Sequence, residues 1–152
     1  KFGYQFRGAR VVRAVIQDLV QQRGLGSTPG RSLVIFGGQS AGSRGAMAHL
    51  DYVPEMLGSG ASARVDVVGF LDSTLWIDML PHQGSSFIGF AETCPRVHGY
   101  ANVSHLGEEC QAAFTHGDQW KCIMGHYRLA FTRTPYLLVA SQYDSFAVSA
   151  NV

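Results

Sequence analysis

Leu33-Val34-Ile35-Phe36-Gly37-Gly38-Gln39-Ser40-Ala41-Gly42 is an apolar run that stops at glycines and sets Ser40 between Gly38 and Gly42. This is the G-x-S-x-G pattern of a nucleophile elbow. A strand reverses sharply into a helix there, and the serine takes the apex in a strained conformation. Small residues two before and two after it let strand and helix approach closely. The hydroxyl then points out of the turn, and the amide of Ala41 points to where an oxyanion would form.

The surroundings have the order that such an elbow needs. Ser32 to Phe36 reads as a short buried strand. Beyond the elbow, Ala46, Met47, Leu50, Val53 and Met56-Leu57 fall near helical spacing. The plainer reading is a glycine-rich strand–helix turn holding a structural serine. A phosphate-binding loop fits less well, because no Gly-Lys-Ser/Thr follows.

Bulk properties exclude several classes. The 152 residues are enough for one domain with a real core. With 46% hydrophobic and 15% charged residues, disorder is not expected. A net charge of +1 gives no electrostatic case for nucleic acid or an anionic membrane. No apolar run approaches the ~20 residues of a spanning helix. The start, Lys1-Phe2-Gly3-Tyr4, has neither an initiator methionine nor a signal peptide, so the chain reads as a mature product or a piece of something longer. The three cysteines, Cys94, Cys110 and Cys122, include no C-x-x-C pair, which speaks against zinc. Asn102-Val103-Ser104 is an N-glycosylation sequon on a polar stretch and hints at secretion. At most one internal disulfide can form. The short polar loop between Cys94 and Cys110 points to that pair, worth about 3 kcal/mol for a ~15-residue loop.

Taken in order, Phe6 to Gln22 reads as a helix with Val11-Val12, Val15-Ile16 and Leu19-Val20 as its apolar stripe. Gly24 and Gly26 stop it. The helix after the elbow ends near Gly58-Ser59-Gly60. Arg64 to Leu71 is a second buried strand, and a helix between two such strands implies a parallel α/β sheet. Asp72 stands just past that strand, at the edge where open α/β sheets bind ligands. Residues 79–117 read as an irregular excursion over that edge, and 119–129 as helical. Pro135 to Ala140 is a third buried strand, with Asp144 just beyond it. Serine before aspartate follows the triad order Ser, Asp, His, in which the aspartate orients an imidazole. The plainer readings are a loop-capping role for Asp144 and a helix N-cap for Asp72. No repeat or linker divides the chain.

The sequence resembles the pectin acetylesterase family, which includes the Notum-type carboxylesterases. The matching segments, in the same order, are Phe6-Arg7-Gly8-Ala9-Arg10 with Ala14, Ser40-Ala41-Gly42, Val68-Gly69-Phe70-Leu71-Asp72-Ser73, Trp120-Lys121-Cys122, and Thr134-Pro135 with Tyr143-Asp144-Ser145. The resemblance implies an α/β-hydrolase sheet of mostly parallel strands flanked by helices. It also implies that residues 1–152 are the central part of a single domain, incomplete at both ends. By resemblance the activity is that of a secreted serine esterase on O-acyl esters, acetyl esters of pectin above all, without metal or cofactor. Ser40 matches the nucleophile and Asp144 the triad acid. Ala41 would give an oxyanion amide, and Gln39, Asp72 and Trp76 would border the substrate pocket.

Some positions depart from the family pattern. Gln39 stands where the family often has cysteine, and Gly42-Ser43 where it has two glycines. Ile123-Met124 replace aromatic residues beside Cys122, which touches the acyl pocket. The family histidine follows the acid, whereas His49, His82, His98, His105, His116 and His126 all precede Asp144. The triad histidine is therefore expected outside this chain, the alternative being one borrowed from the excursion. The expected substrate is an acylated polysaccharide or other ester. The competing reading is an inactive hydrolase-derived subunit whose sheet other chains of an assembly complete.

Overall fold

Three strands, β1 (Ser32–Gln39), β2 (Val65–Asp72) and β3 (Tyr136–Val139), form one parallel sheet in the order β1-β2-β3. The computed structural model describes residues 3–115 and 117–151. Ser32 pairs with Val65 and the register runs to Gln39 with Asp72. β3 extends the sheet from Gly69 with Tyr136 to Asp72 with Val139. All three strands thus end at one edge. This is the α/β architecture expected from the alternation of apolar runs with helical spacing.

The helices are α1 (Gly8–Gln21), α2 (Ala41–His49), α3 (Val53–Ser62), α4 (Phe90–Ala101), α5 (Glu108–Ala113), α6 (Gly125–Arg128) and α7 (Ser145–Asn151), with 3₁₀ turns at Leu50–Tyr52, Asp118–Ile123 and Leu129–Phe131. α1 and α3 cover one face of the sheet. Ile16, Val53, Met56, Leu57, Ala61 and Val65 are buried there, with Val12, Val34, Phe36 and Val67 packed around them. Ala46, Met47, Leu71 and Leu129 continue that layer under α2. The stripe of α1 is only half used, since Val11 and Val15 stay 60% and 55% exposed. The post-elbow segment is α2 and α3 joined by the 3₁₀ turn Leu50–Tyr52, and Gly58, at φ 76°, breaks α3 where the glycines were expected to stop it, with a short second helical segment running on to Ser62.

The opposite face of the sheet is bare among the described residues. Leu33, Ile35, Phe70, Leu137 and Val139 lie exposed there. Parallel sheets are ordinarily covered on both faces.

The excursion is not irregular, and this corrects the sequence reading. α4 and α5 lie within it and pack Phe90, Cys94, Leu106 and Cys110 against Trp120, Cys122, Ile123 and Met124. Pro95 inside α4 and the flanking glycines hide the helical signal. Burial of Phe90 and Cys94, four residues apart on one helical face, supplies what propensity does not. The disulfide is corrected with it. Cys110 bonds to Cys122 across a Cα–Cα distance of 5.9 Å, and Cys94 is a free buried thiol. Burial pushes the Cys94 thiol up, against the pull of Arg44. α5 turns Cys110 inward toward the 3₁₀ turn that carries Cys122, and α4 sends Cys94 toward Arg44 instead.

A buried ion pair anchors the start of β3. Arg128 is 1% exposed and donates to Asp51 Oδ2 at 3.3 Å. Asp51 also accepts from the backbone amides of Arg133 and Thr134. It thereby fixes where the chain turns into β3.

Candidate active site

Ser40 lies between β1 and α2 at φ 53° and ψ −121°, a region that L-residues rarely enter. Two hydrogen bonds hold it there. Its amide donates to Asp72 O at 2.9 Å, extending the β1–β2 ladder by one residue, and its carbonyl accepts from Arg44 N at 3.0 Å, opening α2. Gly38 is required by space, because a Cβ there would sit 2.5 Å from the Gly42 carbonyl carbon. A Cβ on Gly42 would meet nothing within 4 Å, so the second glycine serves by keeping its backbone close. Ala41 is the first residue of α2. Its amide belongs to the first turn of α2, whose N–H groups have no carbonyl four residues back within the helix.

Ser40 and Asp144 open into the same cavity of about 530 Å³. It sits at the carboxyl ends of the strands, with Ser40 after β1, Ser73 after β2 and Ala140–Asp144 after β3. The remaining walls are apolar, built from Leu75, Trp76, Ile77, Met79, Phe90, Phe146 and Val148. Asp144 Oδ1 accepts from the Ala147 amide at 2.8 Å, so the aspartate caps α7 as well as facing the cavity. The cap and the cavity position coexist, since the cap uses one carboxylate oxygen.

Trp76 lines the cavity, whereas Gln39 and Asp72, the paired last residues of β1 and β2, do not. No helix follows Asp72 until α4, which removes its N-cap reading. Its Oδ1 instead accepts from Ser73 Oγ at 2.9 Å. Ser73 itself takes φ 61° and donates its amide to Val139 O at 2.7 Å, turning the chain over the end of β3. Trp76 Nε1 donates to Ser73 O at 3.1 Å. Sequence reading missed Phe90, Phe146 and Met79 as cavity walls, because they come from α4, α7 and a loop distant in sequence.

Among the described residues no histidine lines the cavity. His126 Nδ1 accepts from the Asp78 amide at 3.0 Å, and its ring stacks on Tyr127. His49 stacks on His105 with ring centroids 5.0 Å apart. His82 lies beside carbonyls of Gln83 and Ser149. His98 is on α4 with its Nε2 buried and unpartnered, and His116 is outside the described residues. Beside His126, Tyr127 Oη donates to Asp78 Oδ2 at 2.6 Å, and that bond pushes the phenol up to about 12. No three His, Cys, Asp or Glu side chains converge as metal ligands among the described residues. Asn102 ends α4 in the left-handed conformation and is exposed, with Ser104 exposed beyond it.

A serine at a strained strand–helix apex thus shares an apolar cavity with an aspartate that follows a later parallel strand. The family description Pectinacetylesterase matches residues 1–152. The chain belongs to the pectinacetylesterase family. The family is one of α/β hydrolases, in keeping with the observed sheet. Its similar relatives include the palmitoleoyl-protein carboxylesterase notum2 of Xenopus laevis, 29% identical over 147 residues. The palmitoleoyl-protein carboxylesterases NOTUM of Mus musculus and Homo sapiens are 26% and 25% identical over 145 residues. Each alignment covers 93% of this pectinacetylesterase-family chain but only 28–29% of the relative. The chain thus spans less than a third of the length of those relatives.

Proposed function

We propose that these residues carry the nucleophile and the acid of a serine carboxylesterase. The observation that carries the reading is the shared cavity of Ser40 and Asp144 at the strand ends, with Ser40 held at positive φ. Ser40 Oγ attacks the ester carbonyl and gives its proton to an imidazole oriented by Asp144. The Ala41 amide holds the developing oxyanion, and the alcohol leaves with the imidazole's proton. Water then hydrolyses the acyl-enzyme by the same route. The imidazole comes from outside these 152 residues, consistent with a cavity that no described histidine reaches. On this reading the chain is the central part of one α/β-hydrolase domain of an extracellular enzyme, and Asn102 is its glycosylation site.

Acetyl esters of a polysaccharide are the substrate that the family description suggests. A second reading has its own support: the cavity is far larger than an acetyl group needs and is walled by aromatic and aliphatic side chains. Such walls suit a longer acyl chain, as in the palmitoleoyl esters named for the relatives. The competing non-enzymatic reading is an inactive structural subunit.

The test uses the natural polypeptide carrying these residues, with 4-nitrophenyl esters of rising acyl length. Ser40→Ala is expected to lower kcat on the preferred ester by about four orders of magnitude or more. Rates that survive Ser40→Ala would remove the serine from the mechanism. A folded parent inactive on every ester would favour the structural subunit.

A further inference from the structure

We infer that Arg44 is a positioning residue that fixes the acyl wall, and this rests on the esterase reading above. Arg44 lies four residues after Ser40, on the first turn of α2. Its guanidinium carbon stands 4.4 Å from the centre of the Trp76 ring. Its Nε donates to Ile123 O at 2.8 Å, and its Nη2 approaches Cys94 Sγ at 3.4 Å. One half-buried side chain on the nucleophile's helix therefore grips the loop after β2, the 3₁₀ turn beside the disulfide, and α4.

Trp76 is the wall that this grip holds. Its ring stacks on Phe90 at 5.0 Å and borders the cavity that Ser40 enters. The loop bearing it has a second tie to α2, the buried hydroxyl pair in which Thr74 Oγ1 donates to Ser43 Oγ, one residue before Arg44. Both hydroxyls are fully buried, so the bond that Thr74 donates stands in for one to water. The pair sets the depth of the loop, and Arg44 sets the tilt of the ring. A guanidinium suits this task because it is planar, stays charged and can stack and donate at once. A lysine ammonium cannot do all three.

The consequence is chain-length selectivity. An acetyl methyl ends close to Ser40, whereas a longer chain buries its methylenes against Trp76 and Phe90. Loosening the ring therefore costs long acyl chains more than short ones. Arg44→Met is expected to lower the ratio of kcat/KM for 4-nitrophenyl dodecanoate over acetate by about tenfold, between the sizes of an exposed and a fully desolvated cation–π contact. Arg44→Lys should give an intermediate ratio, and it carries the test if Arg44→Met does not fold. Dodecanoate binding, measured by calorimetry in a Ser40→Ala background, should weaken by a similar factor. Equal losses on both esters, or an unchanged ratio, overturn the inference. So does a parent that hydrolyses acetate but binds no dodecanoate, which would leave the esterase reading standing. A parent that hydrolyses no ester yet binds dodecanoate through Arg44 removes the esterase and keeps the wall.

Discussion

Ser40 holds a backbone conformation that glycine adopts freely and serine does not. The two ladder and helix bonds that enforce it leave the hydroxyl no choice but the cavity side of the turn. Strain at such a site typically costs about 1–3 kcal/mol. Ser40→Gly is accordingly expected to stabilise the fold by about 1 kcal/mol while abolishing hydrolysis. A urea midpoint at or below that of the parent would show that the turn carries no such strain. His105 makes a second residue-scale case. It stacks on His49 of α2 and meets the Tyr52 ring edge-on, at the point where the Gly107 amide donates to Tyr52 Oη. Burial lowers its pKa below 6.5, and the nearby His49 and Arg13 lower it further, against Glu55. The folded state then binds fewer protons than the unfolded one, so stability rises with pH. This contribution is complete above the unfolded value of 6.5 and is lost as pH falls from there through the lower folded value. The urea midpoint should drop between about pH 7 and about pH 5, and His105→Phe should flatten that drop. An unchanged slope in His105→Phe would assign the acid sensitivity elsewhere.

At the scale of elements, the layer formed by α4, α5 and the turn Asp118–Ile123 supplies the floor of the site. Trp76 and Phe90 belong to both the cavity wall and that layer's core. The layer is stapled by Cys110–Cys122, which are fully buried and 12 residues apart. A closed loop of that size contributes about 3 kcal/mol in the chain-entropy estimate. Non-reducing peptide mapping should recover a Cys110–Cys122 peptide and a free Cys94, and a Cys94–Cys110 peptide would contradict the fold. Cys110→Ser is expected to lower stability by roughly 2–4 kcal/mol and to weaken binding of long acyl groups through the shared aromatic wall.

At the scale of the molecule, the sheet has one covered face and one bare face among the described residues. Leu33 and Ile35 are 60% and 66% exposed, and Leu137 is 59% exposed. Contiguous apolar surface of this kind drives association. A polypeptide of residues 1–152 alone is therefore expected to bind anilinonaphthalene sulfonate, to sediment above its 16.5 kDa mass, and to hydrolyse no aryl acetate. Monomeric sedimentation without dye binding would show that the bare face is tolerated in water. Full hydrolysis would mean that a histidine of this chain does reach Ser40.

Much of this was written locally. Short-range backbone rules made the elbow legible: Gly38 cannot be larger, Ser40 must turn, and the strand before it must be apolar. The three strands, and the order of Ser40 before Asp144 at their ends, followed from apolar runs of strand length. Short range failed where long range decided. Pro95 and the glycines around it disguised α4, which exists because Phe90 and Cys94 are buried against residues some 30 positions away. The disulfide partner of Cys110 depended on that helix, so the short polar loop pointed to the wrong cysteine although Cys122 is nearer in sequence. The cavity walls other than Trp76, and the grip of Arg44 on that ring, were invisible for the same reason. They are contacts between segments whose separation along the chain carries no record of their distance in space, and only packing of the aromatic layer against α2 brings them together.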